Sequence, residues 1–133
     1  MDEITVHVEA EVNPTESEDK VKKAIENIFG NVQTKIQPIY RGVKITSESK
    51  GLETLTKLYS ILRREHIRDA ARTALFEGLD KNSISFCLNK QVTYAGHVSF
   101  ANEVAESPLG PIKVKIECAN PRELIDWLTS KTT

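Results

Sequence analysis

Ile4, Val6, Val8, Ala10 and Val12 alternate with Thr5, His7, Glu9 and Glu11. A period of two predicts a strand with one buried face, central to the structure. Pro14 ends it, and Thr15-x-x-Glu18 has the spacing of a capping box, in which two side chains satisfy free backbone N–H groups. The helix that follows places Val21, Ala24, Ile25 and Ile28 on one face, and Gly30 falls where a left-handed cap would close it. Residues 32–39 and 43–47 read as two further strands joined through Arg41-Gly42, with Pro38 marking the first as an edge strand or an early stop.

Leu52, Leu55, Leu58, Tyr59 and Leu62 form the stripe of a second helix, and Ile67, Ala70, Ala71, Ala74 and Leu75 that of a third. At 3.6 residues per turn the two stripes point roughly 110° apart, more than natural drift produces, so the chain bends near Glu65-His66. Gly78 ends the third helix. Ile84, Phe86 and Leu88 mark a fourth strand, Val98 and Phe100 a fifth, and Ile112, Val114 and Ile116 a sixth. Ser107-Pro108-Leu109-Gly110-Pro111 reads as the turn that sets the register of the sixth. Asn120-Pro121-x-Glu123 opens a last helix, with Leu124, Ile125, Trp127 and Leu128 as its apolar residues. The order β-α-β-β-α-α-β-β-β-α predicts one α+β domain over residues 1–133, a mostly antiparallel sheet of about six strands with helices packed on one face.

The 133 residues carry 18 Lys+Arg and 19 Asp+Glu, a net charge of −1, which excludes a wholly basic nucleic-acid binder but not a basic patch. The charge is uneven. Residues 1–34 hold 8 acidic and 3 basic side chains, and residues 35–72 hold 4 acidic and 9 basic. The middle third is therefore where an anionic partner would bind. No apolar run approaches the roughly 20 residues a membrane helix needs. Cys87 and Cys118 are too few for a disulfide scaffold and lack C-x-x-C spacing, which points to unpaired thiols in a reduced, cytoplasmic setting.

Arg64, Arg68 and Arg72 recur at i, i+4 and i+8, with Arg63, Lys57 and His66 close by. A row of guanidiniums can engage successive phosphates. The alternative is a solvated face whose charges Glu65 and Asp69 neutralise at helical spacing. Asn89-Lys90-Gln91 places three polar groups at a strand end, suited either to phosphate and base contacts or to capping the neighbouring backbone. The aromatic residues sit at core-type positions: Trp127 reads as an anchor of the last helix and Tyr94 as a packed ring with a satisfied hydroxyl. No interleaved aromatic and basic pattern of a single-strand binder is present. His7, His66 and His97 lack metal-ligand spacing, His7 and His97 reading as outward strand positions. The acidic cluster Glu9, Glu11, Glu16, Glu18 and Asp19 has no Gly-containing loop to shape a cation site. No phosphate-cradling glycine motif occurs, and no acid–base or nucleophile pair can be named, so neither an enzyme nor a cofactor is expected.

Five stretches, in order along the chain, are similar to an uncharacterised archaeal family of predicted RNA-binding proteins. They are Pro14-Thr15-Glu16, residues 62–72 with Leu62-Arg63, Ile67 and Asp69-Ala70-Ala71-Arg72, then Leu88-Asn89-Lys90-Gln91, Ser107-Pro108-Leu109-Gly110, and Ile125-Asp126-Trp127-Leu128. The resemblance implies a fold like that of the ribosomal protein that binds 5S rRNA, and RNA as a partner; it carries over no catalytic residue. The sequence departs from the family pattern at Arg68, in place of an apolar residue, at Val92-Thr93, in place of two alanines, and at Thr129-Ser130, in place of a small residue and proline. The leading expectation is an RNA-binding protein that contacts structured RNA through Arg63, Arg64, Arg68, Arg72, Asn89, Lys90 and Gln91. The alternative is a protein–protein module or homodimer formed through an open sheet edge or face.

Overall fold

A computed structural model describes residues 3–101 and 110–130. Its elements run β1 (Thr5–Val12), α1 (Glu18–Phe29), β2 (Thr34–Pro38), β3 (Val43–Lys50), a 3₁₀ turn (Leu52–Leu55), α2 (Thr56–Arg64), α3 (Arg68–Glu77), β4 (Ser83–Leu88), α4 (Lys90–Tyr94), β5 (Phe100–Ala101), β6 (Ile112–Glu117) and α5 (Pro121–Leu128). The six strands form one sheet in the order β2-β3-β1-β6-β4-β5, every neighbouring pair antiparallel. The expected α+β architecture is the observed one.

The alternation of β1 explains its place. Val8 pairs with Ser47 of β3 on one side and Val114 of β6 on the other, and Ala10 with Ile45 and Ile112. One parity of each central strand is therefore a continuous apolar sheet face. The helices cover it with Val21, Ile25, Ile28, Leu58, Leu62, Leu75, Leu124 and Leu128, all buried. The other parity, His7, Glu9, Thr46, Glu48, Lys113 and Lys115 among it, carries polar side chains on an open face.

Local details modify the sequence expectations. The helix after β1 starts at Glu18 with Ser17 as its cap, accepting from the Lys20 N–H at 3.4 Å, so the Thr15–Glu18 box does not form. Glu16 instead turns back to accept from the Asn13 N–H at 3.0 Å. The fifth strand is only two residues long, and Val98 is buried ahead of it. His97 consequently lies outside any strand. Tyr94 is 45% exposed, with the Lys20 ammonium 5.6 Å from its ring centre, rather than packed. Asn120 caps α5 as expected, accepting from the Glu123 N–H at 3.2 Å. Cys87 and Cys118 are both half-buried and are not joined in a disulfide. Residues 107–109 of the expected turn before β6 lie outside the described residues.

The predicted bend has a definite geometry. The Ile67 N–H bonds to the Leu62 carbonyl at 3.4 Å and the His66 N–H to the Arg63 carbonyl at 3.3 Å. This is a Schellman closure, with Leu62 and Ile67 as its apolar pair. The residue just past the cap takes φ +55°, a left-handed position that glycine fills without strain, and here it is His66.

Candidate nucleic-acid interface

The α2–α3 corner carries the middle-third arginines, and the bend decides where each points. Arg63, near the end of α2, leans toward α5: its guanidinium donates to the Tyr59 hydroxyl at 2.5 Å and to Ser130 Oγ at 3.2 Å. It also lies 5.0 Å from the Tyr59 ring centre, and Tyr59 stacks on Trp127 at 4.6 Å. Trp127 thus anchors α5 to α2, half-buried at the surface rather than deep in the core. Arg64 points the other way. It donates to the Gly96 carbonyl at 3.2 Å and pairs with Glu65 at 3.3 Å. Arg72 is held by Asp126 at 2.9 Å and Thr129 at 3.1 Å, over the Phe76 ring. Arg68 has Asp69 at 3.6 Å, but that carboxylate is 94% exposed, so the pair is well screened and worth little.

Arg63, His66 and Arg68 line a cleft of about 330 Å³, with Asp69, Leu128 and Ser130 on its other walls. Three of the four arginines therefore gather along the C-terminal end of α5, while Arg64 lies on the opposite flank of the corner. Arg68 and Thr129-Ser130, where the sequence departs from the resembled pattern, meet here. His66, a neighbour of the arginine row in the sequence, lines the cleft itself, and Ser130 joins it from beyond the end of α5.

Glu65 secures the corner from the α4 side. Burial pushes its carboxyl up, but hydrogen bonds from His97, from Arg64 and from the Val98 N–H outweigh that and hold it below its ordinary value. The His97 contact is the short one, Nδ1 to Oε2 at 2.7 Å.

The strand-end residues fall elsewhere. Asn89 caps α4, its side-chain oxygen accepting from the Val92 N–H at 3.0 Å. Lys90 is turned inward and only 5% exposed. Its ammonium donates to the Glu11 carbonyl at 2.6 Å and to the Glu16 carboxylate at 3.0 Å, an arrangement that ties β1 and the following loop to α4. Gln91 is exposed. The expected convergence of Lys90 with the arginines is not what the fold produces.

A second and larger concavity, about 1070 Å³, crosses the open sheet face. Backbone at Val8, Ser47, Val114 and Phe86 lies along its floor, between cross-strand rows that include Glu48, His7 and Lys115 on one side and Glu9 and Lys113 on the other. It carries side chains of both signs, and carboxylates meet bases at its margins: Lys44 lies 3.5 Å from Glu9, and His7 lies 3.4 Å from Glu48 and 3.1 Å from Glu117. Among the described residues no cluster of His, Cys, Asp and Glu could hold a metal ion, and no helix is long and apolar enough to cross a membrane.

This α+β fold with a basic helical corner has relatives. A family model described as RNA binding matches residues 5–118. A UPF0201 protein of Sulfurisphaera tokodaii is 46% identical over 125 residues, 94% of this chain and 86% of that one. Its counterpart in Pyrobaculum islandicum is 42% identical, over 92% and 86%. The crystal structure of a UPF0201 protein from Methanococcus jannaschii superposes with a TM-score of 0.84 at 34% identity, covering 94% of this chain and 98% of that one. The chain belongs to this archaeal UPF0201 family, and it also matches the family model described as RNA binding.

Proposed function

We propose that the protein is a non-enzymatic, cytoplasmic RNA-binding protein that holds the phosphates of structured RNA at the α2–α3 corner. Arg63 and Arg68 would be the contacts within the cleft, with Arg64 and Arg72 on its flanks. The observation that carries this reading is His66. A histidine stands at a left-handed position where glycine is the unstrained choice, and its side chain lines the same cleft as Arg63 and Arg68. Strain of that kind persists where a side chain is needed, and it concentrates at functional sites. The family's RNA-binding description supports the partner class. Asn89 caps α4 and Lys90 lies in a buried ion pair, so the proposed contacts leave both out; Gln91 is accessible but on a different element. Structured RNA fits better than a single strand, because the rings beside the arginines, Tyr59, Trp127 and Phe76, are partly buried and already engaged with one another or with Arg63 and Arg72 rather than presented for bases to stack on. The homodimer alternative draws support from a separate surface, the exposed edge of β2, and the two readings do not compete.

The test is a titration of a structured-RNA pool at several salt concentrations. Each phosphate engaged contributes roughly 0.7–0.9 log units of affinity per log unit of salt. The combined Arg63→Ala, Arg64→Ala, Arg68→Ala variant is expected to flatten the slope by about two to three contacts' worth. Lys113→Glu with Lys115→Glu on the open face is the control. No binding at low salt, or equal losses from variant and control, overturns the proposal.

A further inference from the structure

The sheet has two edges, and they are finished differently. At one end β5 is two residues long. At the other, β2 presents five residues with no strand beyond them among the described residues. Ile36, in the middle of β2, is 47% exposed although its partner Ile45 on β3 is fully buried, and Tyr40 in the following turn is 97% exposed. Two large apolar side chains thus flank an open row of peptide groups.

The register fixes which groups are free. The Ile39 N–H bonds to the Gly42 carbonyl, and these two residues lie opposite one another in the continuation of the β2–β3 ladder. Hydrogen-bonded and non-hydrogen-bonded pairs alternate in an antiparallel ladder, so Lys35 and Gln37 bond inward to β3 while Thr34, Ile36 and Pro38 turn their peptide groups outward. Pro38, lacking an N–H, therefore costs the β2–β3 ladder nothing.

We propose that this edge pairs with the β2 edge of a second copy, antiparallel about a two-fold axis at Ile36, joining two six-stranded sheets into one. Three registers compete. Centred on Ile36, the two Ile36 residues exchange both bonds and each Thr34 N–H meets the partner's Pro38 carbonyl, four bonds in all. Lys35 then lies opposite the partner's Gln37, and no like charges face each other. Centred on Lys35, the two ammoniums stand opposite one another in the closer kind of pair, about 4.5 Å between Cα atoms, which like charges disfavour. Centred on Gln37, Ile36 faces Pro38 and the missing N–H halves the central bonds. Lysine and proline commonly guard an edge against pairing; here they leave one register open. Identical patches meeting about a two-fold axis also close the assembly at two copies, so the pairing does not propagate into a filament. A five-residue edge is short, so the dimer belongs to the weak, concentration-dependent class. The inference is independent of the RNA reading, because β2 and the α2–α3 corner are different surfaces.

Two measurements test it. Sedimentation velocity from about 5 to about 500 μM should show the mass rise toward that of two chains, a range suited to a weak dimer. Ile36→Lys, at a half-exposed position that leaves the fold intact, should abolish the rise. Cysteine cross-linking then tests the register, in a Cys87→Ser, Cys118→Ser background. Ile36→Cys should form a disulfide-linked dimer on mild oxidation, since directly opposed residues lie within about 4.4–6.8 Å. Lys35→Cys should not link to itself, but should link when mixed with Gln37→Cys. A monomer across the whole range overturns the proposal. So does a dimer indifferent to Ile36→Lys, or linkage by Lys35→Cys alone without linkage by Ile36→Cys.

Discussion

The open face of the sheet and the α2–α3 corner are both concave, polar and rich in charge, and they differ in how that charge is answered. On the open face a groove of about 1070 Å³ is walled by side chains of both signs, among them Glu9, Glu48, Lys113 and Lys115. Lys44 meets Glu9, and His7 sits between Glu48 and Glu117. Only His7 and Glu48 are directly opposed; Lys44–Glu9 and His7–Glu117 are diagonal pairs, which long side chains span across adjacent strands. The helical corner encloses a cleft of about 330 Å³, less than a third of that volume. There Arg63 donates to the hydroxyls of Tyr59 and Ser130, and the carboxylate beside Arg68 points into solvent. Size alone would select the groove. The left-handed His66, set in one cleft with Arg63 and Arg68, selects the cleft.

The sharpest way to break this contrast is to attack the lysine that the sequence assigned to the wrong side of it. Lys90 and Glu16 form a pair 5% and 11% exposed. Removing one partner of such a pair leaves an uncompensated buried charge, at about 3–5 kcal/mol. Lys90→Met is expected to lose stability on that scale in urea unfolding, while its RNA salt slope, measured under conditions where it is folded, stays at the wild-type value. Arg68→Ala is expected to do the reverse, changing stability by less than about 1 kcal/mol and reducing the slope. A Lys90 variant of normal stability and poor RNA binding would return the strand-end loop to the site.

The sequence exposed the scaffold of this contrast better than the contrast itself. β1, the α2–α3 bend and the Pro38 edge were all legible, because period, stripe angle and the missing proline N–H are properties of neighbouring residues. The arginine repeat at positions 64, 68 and 72 was legible too, but it presumed a shared face, and the Schellman closure sends Arg64 toward Gly96 and Arg72 toward Asp126. Lys90 could not be placed, because the groups that bury it, Glu11 and Glu16, are 79 and 74 residues away along the chain. Ser130 was missed for the same reason, lying 67 residues from Arg63. His66 left a local trace: an apolar pair five residues apart, Leu62 and Ile67, brackets the left-handed position of a Schellman cap.

That position offers a smaller and more pointed test. A non-glycine residue in the left-handed region carries a penalty of about 1–2 kcal/mol. His66→Gly is expected to stabilise the protein by about 0.5–1 kcal/mol, after allowing for the greater entropy of glycine in the unfolded chain. If the imidazole serves the cleft, the same substitution weakens RNA binding, so stability and affinity move in opposite directions. A variant that gains stability and binds RNA as well as the wild type would make His66 a structural accident and remove the observation on which the cleft was preferred.

The smallest expected effect concerns the carboxylate that holds the corner in place. Glu65 lies between Arg64 and His97, 18% exposed, and its folded-state pKa is below the ordinary 4.5. A carboxyl depressed on folding stabilises the folded state fully above its unfolded value, and that contribution is lost as pH falls through the folded value. Glu65→Gln keeps an acceptor for the Val98 N–H but loses the charge. At pH 7 it is expected to cost about 0.5–1 kcal/mol, a range set low because the neighbouring His97 and Arg64 are largely exposed and solvent screens the pairing. The deficit should shrink once the pH drops below 4.5 and close when the wild-type carboxyl is itself protonated. Urea unfolding of both proteins at pH 7, 5 and 3 measures it. A deficit that persisted at pH 3 would mean that shape and hydrogen bonding, not charge, fix the corner, and Arg64 would then be as available to an anion in the wild type as in the variant. A deficit that closes identifies Glu65 as a charge competing for Arg64, and predicts that Glu65→Gln binds RNA slightly more tightly at neutral pH while Lys44→Gln on the open face does not.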